Sequence, residues 1–306
     1  MPRWFLYALL TMLLWGGWGV VSKPLSTALS PWQIQCLSTL GLLPVLVLLA
    51  ARQSRKLKSE IQNWQGPGLN LRRGFGQAFA GGVISSVGNV ACFQALAAGG
   101  KAAAVIPLTS LYPLVTIILA RRLLKERLNA VQWSGIAGSV AALCCFINVG
   151  ATGFSSLLSP WLAAALVPIV AWGTSDFLQK LAVSHAPSEL TTLAFLAAFV
   201  PATVLIPAFR PFTWPVSGPT WLLLILLGLF YSLGNFALIT AYGTGGRASV
   251  VTPMTSLYSL ITIPLAVLLL HEPISSREGI GILLAVLAVL ALGRETPATP
   301  SATAVL

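Results

Sequence analysis

The chain of 306 residues is too apolar and too weakly charged for an ordinary soluble protein. Hydrophobic residues make up 56% of the chain, charged residues make up 8%, and the mean hydropathy is +0.85. A soluble domain carries about 25% charged residues, because polar groups must cover its surface. The composition therefore argues strongly against a soluble enzyme, a disordered chain or a nucleic-acid-binding domain, although the net charge is +11.

Ten apolar stretches follow one another along the chain, each close to the roughly 20 residues that a transmembrane helix needs. The first stretch follows Arg3 without a clear cleavage site, and we interpret it as a retained helix rather than a signal peptide. The longest connection, residues 51–74, is polar and basic. The predicted spans are residues 4–20 (extending as far as 29), 32–50, 75–98, 102–119, 131–149, 161–181, 190–208, 221–242, 248–270 and 279–292.

Small residues within these stretches predict closely packed helices. Ala78, Gly82 and Ser86 recur at every fourth position, which lets helix backbones approach where lipid provides no hydrophobic drive for association. The cysteines lack metal-ligand spacing and are predicted to be small hydrophobic side chains within helices. They are Cys36, Cys92, Cys144 and Cys145.

The basic residues are distributed unevenly between the two sides of the predicted membrane. If the chain starts in the cytoplasm and alternates sides, fourteen of its 18 lysines and arginines lie inside. This bias follows the positive-inside rule and predicts an integral multi-pass protein of the plasma (inner) membrane with both termini cytoplasmic. The net charge is then a topology signal rather than a sign of a nucleic-acid partner.

The second half of the sequence repeats the first. Residues 101–112 read KAAAVIPLTSLY, and residues 247–258, 146 positions later, read RASVVTPMTSLY. The Trp-Gly pairs of the two first helices, Trp15-Gly16 and Trp172-Gly173, match at an offset of 157. The repeat predicts two five-helix domains, residues 1–150 and 151–293, followed by a disordered cytoplasmic tail over residues 294–306.

An odd number of helices in each copy means that the two copies insert in opposite orientations. Inverted repeats are a recurring plan of secondary transporters, in which the substrate site lies near the membrane midplane between the halves. The predicted fold is therefore an all-α membrane protein, with ten transmembrane helices arranged as two inverted five-helix repeats around a central cavity.

These motifs resemble the drug/metabolite transporter superfamily, specifically its ten-helix permeases with two EamA domains. The resemblance rests on the Trp-Gly pairs, on the Pro-x-Thr-Ser-Leu-Tyr motif of the fourth and ninth helices, and on the Glu and the Gly-rich helix that follow each motif. The resemblance covers residues 4–292. It implies ten helices arranged as a basket around a central cavity, with the fifth and tenth helices bracing each half. Members of this superfamily export amino acids and other metabolites. Because few basic residues lie within the spans, a polyanionic substrate is disfavoured.

Three charged residues within the spans are candidates for the substrate site. Asp176 is the one acid well inside a predicted span, where a carboxylate costs about 2.5–3.5 kcal/mol to insert. It is predicted either to bind a cation or relay a proton, or to form an ion pair with Lys180 one turn later. Lys23 and Lys180 occupy matching repeat positions, and each either faces the cavity or extends its ammonium to an interface.

Aromatic, amide and hydroxyl side chains complete the predicted substrate site. An aromatic ring in the cavity can stack on an organic substrate or cation, and core packing is the alternative. The amides can bond a ligand or a neighbouring helix. The hydroxyl groups follow Pro107 and Pro253, and they can line the cavity or satisfy a carbonyl freed by the proline; a kink that serves only helix packing is the alternative. These candidates are Trp15, Trp18, Trp172, Asn89, Gln94, Asn235, Thr109, Ser110, Tyr112, Thr255, Ser256 and Tyr258.

The connections on either side of the fourth and ninth spans carry no recognisable catalytic or phosphate-binding motif. Glu126 and Glu272 are each predicted to cap the first N–H groups of the next helix. The pairs Gly99-Gly100 and Gly245-Gly246 are predicted to be tight turns, because the Gly-Lys-Ser/Thr pattern of a phosphate loop is missing. The sequence contains no recognisable metal cluster or catalytic triad, and no cofactor is expected.

The sequence thus predicts a secondary transporter, an exporter of a small organic metabolite by alternating access, driven by a proton gradient or by exchange. Its expected partners are the small-molecule substrate and the lipid bilayer, without nucleic acid, and both a monomer and a homodimer are open. The alternatives are a membrane-embedded sensor or scaffold, which predicts no central polar cavity, and a lipid-acting enzyme, which needs a nucleophile or paired acids at a common depth.

Overall fold

The computed structural model describes residues 1–62, 68–124, 129–146, 159–210, 212–292 and 294. Within these residues the regular structure is helical, in thirteen segments that build the ten predicted spans. The segments are α1 (Arg3–Ala28), α2 (Pro31–Gln62), α3 (Leu71–Ala97), α4 (Ala102–Thr109), α5 (Pro113–Leu124), α6 (Ala130–Phe146), α7 (Pro160–Ala182), α8 (Ser188–Ala197), α9 (Phe199–Phe209), α10 (Gly218–Gly243), α11 (Ala248–Ser256), α12 (Ser259–Leu270) and α13 (Ser276–Leu292).

Eight spans of the described chain are long and apolar enough to cross a membrane, and the fifth and tenth, α6 and α13, are shorter at 17 residues each. Large apolar side chains on the outer surface are exposed, as at Val204 (72%) and Leu268 (67%). Such a surface suits lipid rather than water. The prediction of an all-α membrane protein made of two repeats is confirmed.

Three spans are each divided into two helical segments. The fourth span stops between α4 and α5, the seventh between α8 and α9, and the ninth between α11 and α12. Pro107 and Pro253 lie inside α4 and α11, and each break comes a few residues after its proline. The proline removes one backbone hydrogen bond, and a short turn then redirects the chain.

The connection between the second and third spans is mostly helical, which differs from the predicted polar loop over residues 51–74. α2 continues to Gln62, twelve residues beyond the predicted end, and α3 begins at Leu71. The basic residues of this connection therefore lie on helical extensions of the spans. α1 also runs to Ala28, close to the longer of the two predicted ends.

The halves interlock through close helix approaches at glycine. Gly41 of α2 faces Gly228 of α10, where a Cβ added to Gly228 would meet the Ser38 carbonyl and would lie 2.7 Å from the Gly41 Cα. Gly82 of α3 faces the Phe195 carbonyl in the same way. The extensive contacts of α3 with α7 and of α1 with α10 also join the two halves. The predicted close approach at Gly82 is thereby confirmed.

The fifth and tenth spans, α6 and α13, pack on each other beside the rest of the bundle. Gly135 permits the approach, because a Cβ at that position would lie 2.9 Å from the Ala288 carbonyl oxygen. This pairing agrees with the bracing role that the resemblance implies for these two helices.

Two glycine turns end α3 and α10 in the same way. Gly99 has a φ of 94° and Gly245 a φ of 98°, a backbone region that side chains other than glycine rarely adopt. The N–H of Gly100 donates to the Ala95 carbonyl at 3.0 Å, and the N–H of Gly246 donates to the Ala241 carbonyl at 2.9 Å. These bonds define a Schellman ending in both repeats and confirm the predicted tight turns.

Candidate functional site

A central cavity of about 30 Å³ lies between the two halves. At roughly 10–15 Å³ for each water, it has room for about two water molecules. Both repeats contribute to its walls. The lining residues are Trp15, Trp18, Ser85 and Tyr112 from the first half, and Trp172, Asp176, Tyr231, Asn235 and Tyr258 from the second.

The aromatic rings of the cavity form one continuous chain. Edge-to-face contacts join Trp15 to Tyr258 at a centroid distance of 6.0 Å and to Tyr112 at 6.4 Å. Tyr112 meets Trp172 at 6.3 Å, and Trp172 meets Trp18 at 5.7 Å. Each contact of this kind stabilises by about 0.5–1.5 kcal/mol beyond its buried area. The rings therefore hold each other in fixed orientations.

Matching positions of the two repeats meet each other at the cavity. The Ser85 hydroxyl and the Tyr231 hydroxyl lie 2.7 Å apart, and these residues are separated by the repeat offset of 146. Tyr112 and Tyr258 are separated by the same offset, and both contact Trp15. A contact between equivalent residues requires that they lie near the axis relating the repeats. The cavity is thus centred on that axis.

The glycine of each Trp-Gly pair accepts a hydrogen bond from the opposite half. Thr116 Oγ1 donates to the Gly173 carbonyl at 2.9 Å, and Thr262 Oγ1 donates to the Gly16 carbonyl at 3.1 Å. A Cβ at Gly173 would lie 2.5 Å from the Tyr112 carbonyl oxygen. The motif therefore keeps the first span of each half against the broken helix of the other half.

The two tryptophans of the motif differ in their hydrogen bonding. Trp172 Nε1 donates to Asn89 Oδ1 at 3.0 Å. The equivalent amide, Asn235, instead donates from Nδ2 to the Tyr231 carbonyl at 2.8 Å. The buried Trp15 Nε1 then has no acceptor among the residues that the structure describes. The repeat symmetry is broken at this edge of the cavity.

Asp176 lies in the cavity wall on α7, with 4% of its surface exposed. Tyr242 Oη lies 3.4 Å from Asp176 Oδ2, longer than a strong O–H···O hydrogen bond, and 2.7 Å from Thr252 Oγ1. Burying a carboxylate among aromatic rings is costly unless a partner compensates its charge. This residue is the acidic group of the cavity wall.

The two predicted lysines lie outside the cavity wall, at the glycine turns that end α3 and α10. Lys23 Nζ donates to the carbonyls of Leu96 at 3.1 Å and Gly100 at 2.6 Å. Lys180 Nζ donates to the Gly246 carbonyl at 2.8 Å. Gly100 and Gly246 are equivalent repeat positions, so both lysines serve the same carbonyl in their own half. A cation at a helix C-terminus is favourable, because it compensates free carbonyls.

Several predicted polar residues also lie outside the cavity wall. Gln94 is exposed, and Asn89 is not a lining residue, although its side chain bonds two residues that are, Trp172 and Tyr231. The hydroxyl groups after each proline donate to carbonyls of the last turn before the helix break, Ile106 in α4 and Thr252 or Pro253 in α11. These groups belong to Thr109, Ser110, Thr255 and Ser256.

The glutamate prediction had the right interaction and the wrong partner. Glu272 accepts hydrogen bonds from the N–H groups of Ala102 at 3.0 Å and Ala103 at 2.9 Å. It therefore caps α4 in the other half rather than the helix that follows it, because the connection after α12 passes over the start of α4. Glu126 lies outside the described residues.

Sequence reasoning missed two wall residues, Ser85 and Tyr231. Each lies one helical turn before a predicted asparagine, Asn89 or Asn235, at the same repeat offset. Ser85 and Tyr231 are different residue types, so a comparison of the two repeats by residue identity does not single them out. Their equivalent positions, one turn before the two asparagines, were the feature of the sequence that could have identified them.

The fold and cavity define a helical membrane protein whose central cavity is lined by residues of two sequence repeats. The sequence profile of the EamA-like transporter family matches residues 2–148 and 159–294, so this chain belongs to that family. One crystal structure is similar over 95% of this chain and 95% of its own, with a TM-score of 0.65 and 20% identity, a likeness that concerns the fold alone. No curated protein sequence matches.

Proposed function

We propose that the protein is a secondary transporter that moves a small organic metabolite by alternating access, with export as the working direction. The observation that carries the proposal is a cavity whose walls come from both repeats, with equivalent residues meeting at its centre. Inverted repeats place the substrate site between the halves and allow two related packings. Membership of a transporter family supports the same conclusion.

The cavity of about 30 Å³ is too small for a metabolite, so the halves must move apart to admit one. The two bonds between opposite halves, from Thr116 to Gly173 and from Thr262 to Gly16, occupy equivalent positions. We expect movement of one half against the other to release one of them before the other. Energy comes from a proton gradient or from exchange of one substrate for another.

Transport by purified protein in liposomes tests the proposal. A panel of radiolabelled small solutes is offered, with an imposed pH gradient in one arm and unlabelled internal solute in the other. We expect saturable uptake of at least one solute, above that of empty liposomes. Failure to move any solute, with protein folding verified by circular dichroism and a cooperative thermal transition, would contradict the proposal.

The positive-inside bias supports an orientation in the plasma (inner) membrane with both termini cytoplasmic. We expect single cysteines at Ser59 and Gly218, introduced after removal of the native cysteines, to be labelled from opposite sides of intact cells. Both positions are exposed in the structure, and Gly218 has no atom within 4 Å of an added Cβ. Ser59→Cys reacts with a membrane-impermeant maleimide only after permeabilisation, whereas Gly218→Cys reacts in intact cells. Labelling of both from the outside would refute the orientation.

A further inference from the structure

We propose that the central cavity selects organic cations, meaning small molecules with one protonated amine or quaternary ammonium group. The inference rests on the proposed transport function and specifies its substrate class. Two features of the cavity carry it: the ring chain and the single carboxylate, Asp176, set into it.

Neighbouring rings in the cavity wall are nearly perpendicular to each other rather than parallel and stacked. Three of their contacts, Trp15–Tyr258, Trp18–Trp172 and Tyr112–Trp172, have interplanar angles of 82°, 78° and 87°. Because neighbouring rings meet nearly at right angles, their faces are turned in different directions, and rings from both halves line the cavity. The face of an aromatic ring attracts a cation, most strongly for tryptophan, and aromatic cages are a recurring device for binding quaternary ammonium groups.

The charge of the wall points the same way. Among the described residues that line the cavity, Asp176 is the ionisable acid and no lysine or arginine is present. Lys23 and Lys180 are not among the lining residues: they donate to the carbonyls of Gly100 and Gly246, and Lys180 Nζ also lies over the Tyr242 ring at 5.7 Å. Lys101 forms an ion pair with Glu278 at 3.0 Å. An anionic ligand would meet a carboxylate and negative ring faces, whereas a cation is favoured by both.

Comparison of the two repeats indicates that the fold does not require an acidic residue at the position of Asp176. The first-half counterpart of Asp176 is Gly19, at the repeat offset of 157, and it packs against Thr262. Lys23 nevertheless makes the same carbonyl contact as Lys180. The lysine contact therefore forms in a half that has no acid at this position. The carboxyl group in the cavity wall is therefore present in the second half and has no counterpart at the matching position of the first half.

Binding of matched probes tests the substrate class. In one series choline is compared with 3,3-dimethyl-1-butanol, which replaces its cationic nitrogen by carbon. In the other, 2-phenylethylamine is compared with 2-phenylethanol and phenylacetate. Affinities are measured by tryptophan fluorescence and by calorimetry on the detergent-purified full chain, and uptake of the same probes is measured in liposomes.

We expect the cation of at least one series to bind at least about tenfold more tightly than its neutral and anionic partners. Loss of a buried charge partner weakens binding by on the order of 30-fold. In the Asp176→Asn variant, the affinities for the cation and for its neutral partner should therefore become similar. Trp15→Phe should weaken binding of the cation by several-fold and change binding of the neutral probe little, because a phenylalanine ring attracts a cation less strongly than a tryptophan ring. Glu60→Gln, which removes a carboxylate near the end of α2, is the matched control and should preserve the selectivity.

The outcomes separate this inference from the proposed function. Transport of a neutral or anionic probe without a preference for either cation overturns the cation selectivity and leaves transport standing. Tight cation binding without movement supports the selectivity and contradicts transport. Selectivity that persists in a folded Asp176→Asn variant overturns the inference, as does a folded protein that binds no cation of either series.

Discussion

Replacing Asp176 with asparagine is expected to reduce transport on the order of 100-fold at low substrate concentration while the protein stays folded. Asparagine keeps the shape of the side chain and its contact with Tyr242, but it removes the carboxyl group that can carry a negative charge opposite a bound cation. Truncating one partner of a buried charge pair costs about 2–5 kcal/mol, or about 30- to 5,000-fold, and a loss of about 100-fold lies near the lower end of that range. Initial rates in liposomes, normalised to inserted protein, provide the measurement, and Glu60→Gln provides the control.

The alternative role for Asp176, an ion pair with Lys180 that serves only the fold, makes a different prediction. In that case Asp176→Asn and Lys180→Met would have similar defects, and the double variant would recover much of what each loses. We expect instead that Lys180→Met mainly lowers the melting temperature, because it releases the Gly246 carbonyl. The double variant should then combine low transport with low stability. Recovery of transport in the double variant would rule out a direct role for Asp176.

Replacing Gly228 with alanine is expected to destabilise the protein by about 1–2 kcal/mol in spite of the better helix propensity of alanine. The propensity gain is about 1 kcal/mol, whereas overpacking costs about 1–3 kcal/mol and occasionally more. The added methyl group would meet the Ser38 carbonyl and the Gly41 Cα, which are backbone atoms. Backbone atoms cannot rotate away as a side chain can, so α2 and α10 would have to separate.

The control for this prediction is Gly76→Ala in α3, another helical glycine. No atom lies within 4 Å of a Cβ added to Gly76, so the substitution gains propensity without a clash. We expect its melting temperature to equal or exceed that of the parent, and that of Gly228→Ala to fall by several degrees. Equal melting temperatures for the two variants would show that the α2–α10 approach is not tightly packed.

The repeat accounts for most of what could be predicted before the structure. A hydropathy pattern reports the span count directly, and an odd count per copy determines the inverted arrangement. The glycine turns were also predictable, because a Gly-Gly pair followed by a basic residue recurs at the same place in both repeats, and glycine adopts positive φ more readily than other residues. Seven of the fifteen predicted site residues lie in the cavity wall: Trp15, Trp18, Tyr112, Trp172, Asp176, Asn235 and Tyr258.

The residues whose roles could not be predicted from the sequence are those whose role depends on which distant residue the side chain contacts. Lys23 and Glu272 looked like cavity and local-cap residues, but they bond the backbone at Gly100 and at Ala102, far away along the chain. The helix breaks after Pro107 and Pro253 turn the following hydroxyl groups back onto their own carbonyls. A sequence gives helix periodicity but not the rotation of one helix against another, so these roles were open.

The sequence by itself determined the ten apolar spans, the duplication and the residue types available to a site, because composition and period follow from covalent order alone. Only the tertiary structure decided that equivalent residues such as Ser85 and Tyr231 touch, and that aromatic rings from both halves line the same cavity as Asp176. The physical reason is that a cavity between inverted repeats is formed by side chains roughly 150 residues apart. Their contact depends on helix rotation and on the glycine approaches that set helix spacing, neither of which a linear pattern records.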